Sequence, residues 1–132
     1  MALIFAGSTD VLAPAHTSRF LVPFLKFFFP SFDADSYGRI QLFIRKCGHF
    51  TEYAILAVLI WRAVRPMDRR GWAWPDARFA VMICLAYAAT DEFHQTFVPS
   101  RVGSVVDVAI DTTGAVGGIL LLFFLGRWRK KW

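Results

Sequence analysis

The run Thr90-Asp91-Glu92-Phe93-His94-Gln95 places two carboxylates and an imidazole inside a stretch otherwise apolar enough to enter a membrane, where lipid penalises each of them. On a helix Asp91, His94 and Gln95 fall at i, i+3 and i+4 and share a face, with Tyr87 one turn earlier. A second group precedes it: Lys46, His49 and Tyr53 at i, i+3 and i+7, with Glu52 one step aside. A third follows, in which Asp107 and Asp111 at i, i+4 continue the stripe of Gly114 and Gly118. Carboxylates withdrawn from water suit proton exchange, and a histidine bonded to one of them is oriented as a base. His49-x-x-Glu52 and Asp91-x-x-His94 are also i, i+3 pairs of the kind that hold a divalent cation between helices, with Asp107 and Asp111 available from the third.

Apolar elements must carry these groups. The chain has 132 residues, 56% of them hydrophobic, with 14 Phe and 5 Trp, too apolar for an ordinary water-soluble domain. About 20 residues cross a bilayer as helix, and residues 44–64, 79–97 and 105–125 have that length. The expected fold is therefore an all-α integral membrane helical bundle of three complete transmembrane helices, a single domain over residues 1–132. Residues 1–6 read as the exit half of a helix, which predicts a start upstream and a fourth span truncated here. The stretch 19–29, with Arg19, Lys26, Pro23 and Phe27 to Phe29, suits an interfacial or re-entrant piece. Cys47 and Cys84 lie within helices, near opposite faces of the membrane in this topology, and form no disulfide or zinc motif.

The net charge of +5 does not indicate nucleic acid, because the basic residues flank apolar runs and set topology instead. Arg62, Arg65, Arg69, Arg70 and Arg78 in one loop, and Arg127, Arg129, Lys130 and Lys131 in the tail, belong in the cytoplasm by the positive-inside rule. Two spans separate those segments, as three crossings require. Residues 98–104 then face outward, and Asp91 and Asp111 lie roughly 10 Å beneath them at about 1.5 Å per residue. Five carboxylates, Glu52, Asp91, Glu92, Asp107 and Asp111, meet two cations there, Lys46 and Arg101. Protons, imidazolium ions or a bound cation must neutralise that surplus.

Lys46-x-x-His49-Phe50-x-Glu52-Tyr53, then Asp91-Glu92-x-His94-Gln95-x-Phe97-x-Pro99-x-Arg101, then Ser104-x-x-Asp107-x-x-x-Asp111-x-x-Gly114, resembles the VanZ-like family of small bacterial membrane proteins. Order and spacing match over residues 40–120, and the N-terminus departs, since the family begins with a complete helix. The resemblance implies a multi-pass protein of the bacterial cytoplasmic membrane, with its motif residues as the functional ones. It links the chain to the cell envelope and to antibiotic resistance, because the family takes its name from a protein that lowers susceptibility to the glycopeptide teicoplanin.

Several readings of the polar groups stand side by side. As interhelical hydrogen bonds they would lock a bundle, at about 0.6 to 2 kcal/mol each; five carboxylates exceed what such a lock requires. In an enzymatic reading, a membrane hydrolase or transferase, His49, Glu52, Asp91, Glu92 and His94 carry general acid and base roles. Lys46, Tyr53, Gln95, Arg101, Asp107 and Asp111 would then bind the substrate, the two cations meeting its anionic groups. In a binding or transport reading the same residues recognise a lipid-linked or glycopeptide-like molecule, with membrane lipids as the surrounding partners.

Overall fold

The computed structural model describes residues 23, 27, 33–69, 71–97 and 103–129. They contain three helices and no strand: α1 (Ala34–Val64), α2 (Trp74–Gln95) and α3 (Val105–Trp128). The chain divides into two compact units, Met1–Gly48 and His49–Trp132, and α1 contributes to both. The expectations for residues 1–6 and for most of 19–29 lie outside the described residues, as does Arg101.

Each helix begins and ends for a local reason. Asp33 caps α1, its carboxylate accepting the Ser36 amide at 3.1 Å, and hydrogen bonds from Ser36 hold that carboxyl below its usual range. Pro66 closes α1, because the residue before a proline avoids the helical region. Pro75 sits in the first turn of α2, where its missing N–H costs nothing. Between α1 and α2, Gly71 takes a φ of 91°, and the Arg65 guanidinium donates to the carbonyls of Arg69 (2.9 Å) and Gly71 (3.0 Å) while lying 5.0 Å from the centre of the Trp61 ring.

These bounds revise the expected spans. α1 starts ten residues before Ile44 and α2 five before Phe79, because Arg39, Arg45 and Arg78 limit an apolar window without breaking a helix. Cys84 therefore falls at the middle of α2 and is fully buried, whereas Cys47 is exposed; neither takes part in a disulfide among the described residues. Among the described residues only α3 is long and apolar enough to cross a membrane by composition.

In the unit His49–Trp132, α2 and α3 pack antiparallel: the Glu92 carboxylate meets Ser104 at one end, and Trp74 lies 5.2 Å from Phe123 at the other. The face α2 buries is made of small residues, Ala77, Ala80, Cys84 and Ala88, ending in Asp91, Glu92 and Gln95. α3 meets α1 through glycine. A Cβ on Gly114 would collide with the Phe50 carbonyl oxygen, and one on Gly118 would lie 2.5 Å from that of Ala54. Both pairs advance in the same direction along the chain, so α1 and α3 run parallel with their backbones in contact, the packing that small-xxx-small sequences permit. Trp61 stacks on Trp72 at 5.0 Å and Trp72 meets Phe123 at 5.1 Å, closing the end opposite Asp111. Large apolar side chains such as Leu59, Phe79, Met82 and Leu121 point outward.

The glycine contact gives a direct expectation. Gly118→Ala or Gly114→Ala forces α1 and α3 apart and destabilises the bundle by roughly 1–3 kcal/mol. Gly48→Ala, with nothing within 4 Å of the added carbon, is neutral or stabilising by up to about 1 kcal/mol. Thermal unfolding of the three variants in one detergent measures the difference.

Candidate functional site

Three helices deliver polar side chains to the Ser104 end of the second unit. From α1 come His49 and Tyr53, from α2 Asp91, Glu92 and Gln95, and from α3 Asp111, with Asp107 half-buried above it. Burial is close to complete: relative exposure is 0% for Tyr53, 2% for Asp111, 3% for Gln95, 6% for Asp91 and 7% for Glu92. Charged groups hidden to that degree need partners or a ligand.

Some of them are satisfied by the protein. Glu92 accepts the Ser104 amide at 2.7 Å, and because the Ser104 side chain makes no cap of its own, this carboxylate serves as the N-terminal cap of α3 from the neighbouring helix. Gly103 makes the approach possible, since a Cβ there would lie 2.5 Å from the Glu92 carbonyl oxygen. Gln95 donates to Asp91 Oδ2 at 3.0 Å, an i, i+4 pair that fixes both side chains. The hydroxyls of Thr90, Thr112 and Thr113 fold back onto carbonyls of their own helices at 2.8, 2.7 and 2.6 Å, which takes them out of the cluster.

Asp111 and Tyr53 are held differently. Asp111 Oδ1 faces His49 Nδ1 at 3.8 Å, within ion-pair range and beyond hydrogen-bond range. Four further carboxylates, those of Glu92, Asp107, Asp91 and Glu52, act on Asp111 electrostatically. Tyr53 feels the charges of Asp111 and Asp91, and its ring lies 6.3 Å from that of Tyr87, tilted by 45°. Among the described residues, neither Asp111 Oδ1 nor the Tyr53 hydroxyl has a hydrogen-bond partner.

The convergence is narrower than the sequence pattern suggested. His94 and Glu52 are exposed, each roughly 100° around its helix from the buried face at 100° per residue, while Glu92 turns inward. Lys46 is half-buried in the first unit. With Glu52 and His94 turned out, the described residues assemble no group of three or more His, Cys, Asp or Glu able to hold a metal ion. The Glu92–Ser104 clamp went unnoticed in the sequence; the signal for it was the small-residue stripe of α2, which points Glu92 inward and His94 out.

Three helices of alternating direction around a buried acidic cluster with one histidine define an all-helical protein with a polar core at one end. The VanZ/LLP1 family model matches residues 1–126, nearly the whole chain, and the protein belongs to that family. The match extends well beyond the motif-bearing stretch 40–120. No curated protein and no solved structure matches the chain significantly.

The Glu92 clamp can be separated from chemistry. Glu92→Ala removes the acceptor and leaves the Ser104 amide uncapped, at a cost of about 1–3 kcal/mol, and amide exchange in the first turn of α3 speeds up. Thr96→Ser, which keeps its hydroxyl bond to the Phe93 carbonyl (2.7 Å in the parent), leaves exchange unchanged. Hydrogen exchange with mass spectrometry across residues 103–110 reads both.

Proposed function

We propose that this chain is an integral membrane protein of the bacterial cell envelope, in which α1, α2 and α3 each cross the cytoplasmic membrane and the Asp111 cluster lies toward the outer surface. The loop between α1 and α2 and the tail after Gly126 face the cytoplasm, as their arginines favour. At the outer end the protein recognises a lipid-linked or glycopeptide-like molecule and lowers the susceptibility of its host to glycopeptides such as teicoplanin. Lys46 and Arg101 meet anionic groups of that molecule, His49 and His94 exchange protons, and Asp91, Glu92, Asp107 and Asp111 hold the polar network.

One observation carries this reading: three carboxylates, Asp91, Glu92 and Asp111, are buried together, and Asp111 keeps an acceptor without a hydrogen-bond partner among the described residues. A scaffold gains nothing from such an atom, whereas a binding site uses it. Membership of the VanZ/LLP1 family, the apolar length of α3 and the outward-pointing apolar side chains support the membrane setting. The enzymatic alternative, a membrane hydrolase or transferase, draws on the His49–Asp111 pair, in which a carboxylate orients an imidazole as acid or base.

Asp111→Asn preserves shape and abolishes the charge. Expressed in a glycopeptide-sensitive host at membrane levels equal to wild type by immunoblot, it gives no protection from teicoplanin where wild type protects. Protection equal to wild type from well-inserted Asp111→Asn and Asp91→Asn would reduce the cluster to scaffold.

A further inference from the structure

We infer that the end of the bundle opposite Asp111 selects anionic phospholipids, with Arg62 and Arg127 each holding one headgroup phosphate. The inference rests on the reading above that α1, α2 and α3 cross a membrane, and adds which lipids the protein keeps around it.

Four aromatic rings mark the level. Trp61 of α1 stacks on Trp72 at 5.0 Å, Trp72 meets Phe123 of α3 at 5.1 Å, and Trp74 of α2 lies 5.2 Å from that same ring, so all three helices contribute to one layer. Tryptophan favours the boundary between hydrocarbon and headgroups. Arginines sit just past it. Because Phe50 lies against Gly114 and Ala54 against Gly118 on parallel helices, Arg62 is level with Gly126, one residue from Arg127. That level is about 4.5 Å beyond Phe123, at 1.5 Å per residue, on the headgroup side of the aromatic layer.

Charge at this end is unbalanced in one direction. Arg62, Arg65, Arg69, Arg78, Arg127 and Arg129 share it with two described acids, Asp68 and Asp76. Arg69 takes Asp76 at 2.7 Å, and Arg65 donates to the carbonyls of Arg69 and Gly71. Arg62 and Arg127 are exposed, and among the described residues neither guanidinium has an ion pair or hydrogen bond. One turn toward the middle of the span, each has an exposed apolar neighbour on its own helix face, Leu59 for Arg62 and Phe124 for Arg127.

An anionic headgroup above acyl chains matches both halves of such a pair. An acidic peptide would meet the arginine and leave Leu59 and Phe124 uncovered. A zwitterionic headgroup offers the same phosphate together with a cation, which the uncompensated arginines repel. Guanidinium presents paired donors to phosphate oxygens, and each basic residue near a lipid surface strengthens its hold on anionic lipid. The two sites are separate: at 100° per residue Arg127 stands about half a turn from Gly118, on the flank of α3 away from α1. Single lipids fit two cations on different flanks, whereas one protein partner would have to reach around the bundle.

All five tryptophans, Trp61, Trp72, Trp74, Trp128 and Trp132, fall in or beside the loop between α1 and α2 or in the tail, so intrinsic fluorescence reports on this end alone. Full-length protein is reconstituted in phosphatidylcholine vesicles and its embedding checked by resistance to carbonate extraction. Quenching by acyl-brominated phosphatidylglycerol is then compared with quenching by acyl-brominated phosphatidylcholine. At about 0.1 M salt the brominated phosphatidylglycerol is preferred about fivefold, the scale of one arginine at a charged surface, and at about 1 M the preference fades as charges are screened beyond about 3 Å. Arg62→Gln with Arg127→Gln brings it to within about twofold of parity, while Arg39→Gln, near the start of α1, leaves it unchanged. Either single substitution lowers it part-way and is the decisive variant if the double one fails to insert. Equal quenching by the two lipids in carbonate-resistant protein, or a preference that survives high salt or the loss of both arginines, overturns the assignment and leaves the membrane-spanning reading standing. Extraction of the wild-type protein by carbonate removes both.

Discussion

The glycine face of α3 against the backbone of α1 is the contact on which the rest of the second unit depends. Gly114 and Gly118 let the carbonyls of Phe50 and Ala54 approach to a distance no side chain would allow. That approach sets the register of the two parallel helices, and the register brings His49 beside Asp111 and buries Tyr53. The small face of α2, Ala77 to Ala88, does the same for the antiparallel pair and delivers Asp91, Glu92 and Gln95 to the same level. Close backbone packing thus comes first, and the polar cluster follows from it. The aromatic contacts of Trp61, Trp72 and Phe123 at the far end fix the other extremity of the three helices.

The cluster also contributes to the result that, among the described residues, α3 alone meets the compositional requirement for a membrane span. His49, Glu52 and Arg62 interrupt α1, and Asp91, Glu92 and His94 interrupt α2. Asp91 and Glu92 are buried and His49 is half-buried against Asp111, so these three lower the average apolarity of a helix without presenting charge to its surroundings, whereas Glu52, Arg62 and His94 are exposed. A window average weighs a buried aspartate and an exposed one equally, although lipid meets only the second. Outward-pointing Leu59, Phe79 and Met82 keep the exterior of α1 and α2 apolar all the same.

Much of this was legible in the sequence because it depends on helical period. Three helices, the shared face of Asp111, Gly114 and Gly118, and the inward turn of His49 and Tyr53 all follow from spacing. What the period could not supply was which arc of α2 is buried. A face drawn through Asp91, His94 and Gln95 and one drawn through Asp91, Glu92 and Gln95 have similar width; the alanines two and three turns earlier decide for the second, by permitting close packing. The starts of α1 and α2 were misplaced for a related reason, since apolar windows are bounded by arginines that helices readily continue through. The family assignment was legible in the motif order and extends over residues 1–126.

The central claim, that three helices cross a membrane with the Asp111 cluster toward the outer face, is tested most directly by thiol accessibility in intact cells. Cys47 and Cys84 are replaced by Ser and Ala, and a single cysteine is introduced either at Ser100, which lies between α2 and α3 in the sequence, or at Asp68, in the loop between α1 and α2. A membrane-impermeant maleimide is expected to label Ser100→Cys in intact cells and Asp68→Cys only after permeabilisation. Labelling of Asp68→Cys in intact cells, or protection of Ser100→Cys until the membrane is opened, would contradict the account.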